Sequence, residues 1–377
     1  MISQIVRVAL LGLIASLTAV AQTASAALAL ENEGKWAEAA QAWQAVTHQN
    51  PKDARAFASL GVDLSRLQNF QEAVTAYKKA LALNPQLPGI HLNLGLAEFK
   101  LGHFAAAVPP FNTVLAADPG NLQARTLLGL SYYGNKQFPE AIKHLSVASK
   151  AQPDNDELHS VLAQSCLWAK QYNCAQEEFR QMAQRNPNSA TVHSLLGQAL
   201  DGLERTPEAI AEFQQAIQAA PTEPNLHFGL GYLYWKSNKF EQAQKEFNAE
   251  LALDPDHAQS LAYLGDIAIK QEKPGDALPL LQKAVRLNHD IRIAYIDLGV
   301  VLTQQKNYAE AVKALQRAVE LNPNQSDAHY RLGNVYKAMG NAQAAQEEFA
   351  RVRALQENPK EDLVHKMSSA PPSLDKP

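Results

Sequence analysis

The chain has 377 residues, 46% of them apolar and 19% charged, with a formal net charge of -4. That balance excludes an intrinsically disordered chain, and the interspersed Lys/Arg and Asp/Glu leave no basic patch to hold nucleic acid. Only 7% is aromatic while alanine is abundant, which suits closely packed helices better than a β-sandwich.

The first segment reads as a secretory signal over 1–26. Arg7 supplies the positive start, Val8 to Val20 is apolar apart from small or hydroxylated residues, and Ala24-Ser25-Ala26 offers a small-x-small cleavage site. A cut after Ala21, at Ala19-Val20-Ala21, is the alternative. The apolar run is short for a membrane span of ~20 residues, which disfavours an uncleaved anchor. The expectation is an exported chain, periplasmic or secreted, with no stable membrane insertion after cleavage.

Prolines then recur every 34 residues, at Pro51, Pro85, Pro119, Pro153, Pro187, Pro221 and Pro255, and again at Pro323. Other columns keep the same step. One holds Gly61, Gly95, Gly129, Gly197, Gly231, Gly265, Gly299 and Gly333, with Ala163 in the gap. Another runs from Ala73 to Ala345, and a third is aromatic or Leu from Tyr77 through Phe111 to Phe349. A fixed period of this length is a solenoid signature, since one unit cannot bury its apolar face alone. Each period predicts two helices of about 13 residues joined by a polar turn such as Leu67-Gln68-Asn69. Small Gly and Ala columns allow two backbones to approach closely, and Asn-Pro or Asp-Pro closes the second helix. Pro109, Pro110 and Pro279 fall within second helices. The favoured expectation is a late helix start that puts them in the first turn; a local kink is the alternative.

These columns resemble the tetratricopeptide repeat. "AHYRLGNVYKAMGNAQAAQEEFARV", from Ala328 to Val352, is similar to the consensus. The resemblance covers nine full repeats: 54–87, 88–121, 122–155, 156–189, 190–223, 224–257, 258–291, 292–325 and 326–359. A truncated first repeat occupies 27–53, and 360–377 reads as a disordered tail. Gln346 and Arg353 replace apolar residues on the last second helix, as a terminal cap requires. The resemblance implies an all-α, right-handed superhelical solenoid of antiparallel helix pairs with a concave groove. It suggests an exported bacterial member of the family.

Neither enzyme nor metal chemistry finds a footing. His91, His159, His193, His227 and His329 share one column, but equivalent positions on stacked helices lie about 8–10 Å apart or more, far beyond a shared zinc shell. They read as packing histidines. No catalytic residues, metal ligands or cofactor are assigned. Cys166 and Cys174, the only cysteines, flank a helix–helix turn; they are either a disulfide or two buried thiols. In the resembling family, first-helix positions line the groove. Here those positions carry Phe99, Tyr133 and Trp168, then Phe228, Tyr232 and Trp235 at i, i+4 and i+7 on one helix face. Two groove patterns of the family are incomplete. Arg331, Asn334 and Lys337 form a partial carboxylate clamp, and of an asparagine ladder only Asn93 is present.

The expected function is a non-catalytic scaffold or adaptor that binds a protein or peptide segment in the groove, in envelope assembly or secretion. The groove aromatics suit an apolar or extended peptide, although they also fit a reading as core. A structural spacer, or a repeat protein with an enzymatic or glycan-related role, are the competing readings.

Overall fold

The computed structural model describes residues 24–357, so most of the signal segment and the whole 360–377 tail lie outside the described residues. The described residues form helices and turns, with no strand among them. They fall into two compact units, divided between Glu178 and Phe179.

The first unit opens with a helix α1 over 24–32, followed by α2 (Trp36–Gln49). Three complete repeats follow, built from α3 (Ala54–Arg66) and α4 (Phe70–Leu83), α5 (Ile90–Lys100) and α6 (Phe104–Ala117), and α7 (Leu122–Gly134) and α8 (Phe138–Ala151). Next come α9 (Asp156–Trp168) and α10 (Tyr172–Arg185), the latter spanning the division. The second unit continues with α11 (Ala190–Gly202), α12 (Thr206–Ala219), α13 (Leu226–Lys236), α14 (Phe240–Leu253), α15 (Ala258–Lys270) and α16 (Pro274–Leu287). It ends with α17 (Arg292–Gln304), α18 (Tyr308–Leu321), α19 (Ser326–Ala338) and α20 (Ala342–Glu357).

Local chemistry sets these boundaries. Several first helices carry a side-chain N-cap. Asp53 accepts from the amides of Arg55 and Ala56, Asn121 from Ala124, Asn155 from Leu158 and Ser189 from Val192. At the other end the chain turns through a left-handed residue, at Gln68 after α3 and Lys306 after α17. The amide of Asn69 donates to the Leu64 carbonyl at 2.9 Å, and that of Asn307 to Leu302 at 2.9 Å, as in a Schellman turn. Second helices close where Asn or Asp takes an extended conformation ahead of Pro. The α5 and α13 helices start late. Pro88-Gly89 and Pro224-Asn225 each place the second residue at φ 75° and 69°, the geometry of a type II turn.

Proline supplies a correction. The α6 helix begins at Phe104 and runs through Pro109 and Pro110, and α16 begins at Pro274 and runs through Pro279. Of these four prolines only Pro274 sits in a first turn. The carbonyls deprived of a donor belong to Ala105, Ala106 and Gly275, all exposed, so water can satisfy them.

Packing follows the columns. Within each unit, a first helix contacts its own second helix, the preceding second helix and the neighbouring first helix, as α5 does with α6, α4, α3 and α7. The large residue of each second helix fills the space over the small residue of its partner. A methyl added at Gly95 would come 2.7 Å from the fully buried Phe111 ring, and one at Gly231 2.8 Å from Phe247. The nearest atoms are ring carbons, so ring packing rather than backbone approach demands the glycine. In the first unit Ala27, Trp43, Val46 and Ala56 form the first core cluster, and Ala24 packs against it. In the second, the core runs through Leu261, Leu281, Leu298, Leu315 and Leu332. Gln346 and Arg353 of α20 are exposed.

The histidine column has a structural partner. Nδ1 of His159, His193, His227 and His329 lies 2.6–2.7 Å from a carboxylate oxygen of Glu178, Glu212, Glu246 and Glu348. Each pair ties the first helix of a repeat to the second. Cys166 and Cys174 make a second kind of tie, a disulfide between α9 and α10 with Cα atoms 5.7 Å apart. That separation lies within the range a disulfide requires.

Candidate functional site

Because first helices touch one another along each unit, their free side forms a continuous face, and the side chains that it presents come from a few positions of each helix. In the first unit this face carries an aromatic ladder. Phe99 meets Phe104 edge-on at 5.4 Å, Tyr133 meets Phe138 at 6.0 Å, and Phe138 stacks on Trp168 at 6.3 Å. The residues at the starts of the second helices, Phe104 and Phe138, thus support those at the ends of the first. The Tyr133 hydroxyl donates to Gln164 Oε1 at 2.7 Å across to the next repeat. Trp168 remains 42% exposed, although it is the largest side chain of the face. A pocket of about 230 Å³ lies on the same side between α3 and α5, bordered by Arg66, Asn93 and Lys100. A larger one of about 700 Å³ lies between α2, α3 and α4, floored by Phe57, Leu60 and Leu64, on the second-helix side. It holds no aromatic of the ladder.

In the second unit the predicted stripe divides. Phe228 is 3% exposed and packs on Phe247, His257 and Tyr263 at 5.0–5.9 Å. It is core, not groove, because the α13 face that it occupies turns toward α14 and α15. Tyr232 and Trp235 are half-buried and stack at 5.9 Å, and Tyr263 of α15 joins both, at 5.6 and 4.9 Å. The α13 start beneath them is held by a buried carboxylate. Glu250 of α14 accepts from the amides of Asn225 at 2.8 Å and Phe228 at 3.1 Å. It replaces the side-chain cap that Asn225 does not provide.

Around the rings the structure brings together charges that the sequence reading had not joined. Asp201, Asp266 and Asp297 are each 6% exposed and lie on successive or nearby first helices. Lys236 Nζ reaches Asp201 at 2.7 Å, Trp235 Nε1 donates to Asp266 at 2.5 Å, and Lys270 stands 3.4 Å from Asp266. Asp297 Oδ2 is buried and makes no hydrogen bond. Burial, and then the charge of Asp266, push the Asp297 carboxyl well above the usual carboxylate range, against the pull of Arg331 and Lys270. Burial also raises the Tyr263 phenol, helped by the neighbouring Tyr232, Asp266 and Asp297, and raises Tyr232, helped by Asp201. A visible signal existed for two members. Tyr263 and Asp297 stand in the column inspected for asparagine, and both are large or charged where the neighbours Leu195 and Gly229 are not. Tyr330, 56% exposed near the start of α19, is another aromatic that the sequence reading passed over.

Of the incomplete clamp, Arg331 and Asn334 are exposed on α19. Among the described residues no group of three or more His, Cys, Asp or Glu could hold a metal ion, and no helix is long and apolar enough to cross a membrane.

Comparison with known proteins bears on this face. A family model described as TPR repeat matches 64–102, 203–238 and 299–340. Tetratricopeptide repeat models match 99–165, 228–287 and 326–359. Together they take in well over half of the chain. No curated protein matches the sequence. Among solved structures, the Cut9–Hcn1 hetero-tetramer of the APC/C is 15% identical with a TM-score of 0.53, covering 93% of this chain and 84% of that one. Yeast Tom70 is 14% identical over 94% of this chain and 96% of that one, with a TM-score of 0.44. YrrB, described as a TPR protein with an unusual peptide-binding site, is 24% identical over 51% of this chain and 99% of that one, with a TM-score of 0.40. The first of these likenesses supports an all-α helical repeat array.

Proposed function

Because the chain belongs to the tetratricopeptide repeat family, we propose that it is a non-catalytic scaffold or adaptor that captures a polypeptide segment along its first-helix face. Members of such a repeat family serve protein–protein interaction, and the finer reading rests on one observation. Trp168 is left 42% exposed on a ladder of rings already braced from behind by Phe138. A half-open Trp on a preformed aromatic surface is what an interface anchor requires, since aromatic anchors carry much of the binding energy of protein contacts. A structural spacer has no use for it.

The proposal extends to export, with a place in envelope assembly or secretion. Arg7, the apolar 8–20 run and the disulfide all fit an oxidising space outside the cytoplasm. The packing of α1 favours a cut after Ala21. Ala27 is fully buried and Ala24 packs on the same cluster, so a cut after Ala26 would remove the first three residues of α1 and set a charged terminus against the core. N-terminal sequencing of the mature protein decides between them, and a chain that still begins at Met1 defeats the export reading.

The binding reading is tested by affinity capture from an envelope fraction, comparing the wild type with Trp168→Ala and with Tyr232→Ala plus Trp235→Ala. Loss of a specific captured protein with a melting transition near that of the wild type supports it. Unchanged capture by all variants places the site elsewhere.

A further inference from the structure

The second unit holds one buried carboxyl oxygen that the fold leaves without a partner, and a phenol hydroxyl at the adjoining position. Tyr263 and Asp297 occupy the same position of successive first helices, α15 and α17, and are 9% and 6% exposed. Asp297 Oδ2 is completely buried and unbonded. The Tyr263 ring is locked by Trp235, Tyr232, Phe228 and Phe247, yet no hydrogen bond to its hydroxyl accompanies these ring contacts. Buried polar groups normally find partners, and an orphaned carboxyl oxygen at this place needs an explanation.

The charges near this pair are committed elsewhere. Lys236 is drawn to Asp201 and Lys270 to Asp266. Asp266 also takes the Trp235 indole proton. Asp327 is paired with Arg292. Arg331 acts on Asp297 only through its field and is itself exposed. What remains is a carboxyl and a phenol hydroxyl beside half-open Tyr232 and Trp235 rings. A carboxyl supplies an acceptor for a cation, and ring faces attract one. A guanidinium or ammonium on an aliphatic stem uses both at once, with its stem along the rings.

We propose that this part of the face is a specificity pocket for a basic residue, arginine or lysine, of the captured polypeptide, with Asp297 and Tyr263 as its polar contacts and Tyr232 and Trp235 as its walls. The inference rests on the polypeptide-capture reading and gives it a chemistry. An acidic segment would meet the buried carboxylates of Asp266 and Asp297, and a wholly apolar one would leave Asp297 unpaired.

The test is selection of random-sequence displayed peptides on the full-length protein. The best peptide is then resynthesised with each basic residue replaced by citrulline or norleucine. Its affinity is measured for the wild type, Asp297→Asn, Tyr263→Phe and Val147→Ala, the last on the exposed surface of a second helix. The proposal expects selected peptides to share one Arg or Lys. Its neutral replacement should weaken binding about tenfold or more. That preference should vanish in Asp297→Asn, shrink in Tyr263→Phe and persist in Val147→Ala. Melting curves establish that the variants fold, and Tyr263→Phe keeps the ring packing if Asp297→Asn does not fold. Peptides that lack a basic residue, or a basic preference that survives Asp297→Asn, overturn the pocket while leaving polypeptide capture intact. A preference lost equally in Val147→Ala also overturns it. Enrichment of no peptide overturns both.

Discussion

Replacing Asp63 by Asn should stabilise the first unit at neutral pH and do little in acid. Asp63 lies in α3 with no exposed surface, and neither carboxyl oxygen has a hydrogen-bond partner. Burial raises its pKa from 3.8 to about 6, Glu31 adds to the shift and Arg66 opposes it. A raised acid group makes the native state hold a proton that the unfolded chain has released. Stability therefore falls as pH climbs from about 4 to about 6, and the loss is complete above that window. At about 1.4 kcal/mol per pH unit the loss amounts to about 3 kcal/mol at pH 7. Asparagine keeps the volume, carries no charge and removes the titration. The difference between variant and wild type should thus be near zero at pH 3.5 and rise to about 2–3 kcal/mol in favour of the variant at pH 7. Urea unfolding of both proteins at half-unit pH steps measures it, and the difference cancels the other titrating groups. A variant less stable than wild type at pH 7, or a difference that does not change with pH, would refute the reasoning.

Three further outcomes follow from named contacts. Glu250→Ala leaves the amides of Asn225 and Phe228 uncapped, so it should cost about 1–3 kcal/mol and speed hydrogen exchange at those two amides; unchanged protection contradicts the capping role. Lys306→Gly should raise the melting point, gaining up to about 1 kcal/mol, because Lys306 holds φ at 60° where a side chain is disfavoured; a lower melting point contradicts it. Thiol titration of the unfolded, unreduced protein should find no free thiol, and reduction should cost about 2–3 kcal/mol for a loop closed by eight residues of separation; two free thiols would disprove the bond.

Most of the fold was legible because a solenoid repeats one local problem. Each Gly–aromatic and Ala column marks a contact that recurs after 34 residues, so phase alone gives helix pairs and their order. The His–Glu ties went unread, since the histidine column was taken for packing alone, although the sequence carries their spacing. Glu178, Glu212, Glu246 and Glu348 each follow a column histidine by 19 residues, whereas His91 has Pro110 at that distance in sequence and meets the Pro85 carbonyl instead. Turn chemistry was harder to read. Gln68, Lys136, Lys170, Glu204, Asn238, Glu272 and Lys306 share a left-handed turn position that only Gly34, Gly102 and Gly340 advertise. Repeat packing overrides their preference. The prolines of α6 and α16 misled for a related reason, since the helix start is set by the preceding turn and not by the proline. At the site, positions named Trp168, Tyr232 and Trp235 but could not tell that Phe228 faces inward. A stripe gives spacing and leaves open which neighbour it meets. The buried Asp266 and Asp297 escaped because single-column inspection misses partners drawn from different positions of adjacent repeats.

Site-specific photocrosslinking tests the central claim of capture by the first-helix face most directly. A photoreactive phenylalanine analogue in place of Trp168 or Tyr232 sits on that face, and in place of Val147 of α8 or Leu253 of α14 it sits on second helices with comparable or greater exposure to Trp168. Irradiation in the native envelope fraction should give discrete polypeptide adducts at Trp168 and Tyr232 and none at Val147 and Leu253. Adducts confined to Val147 and Leu253, or absent from both first-helix positions, would contradict it.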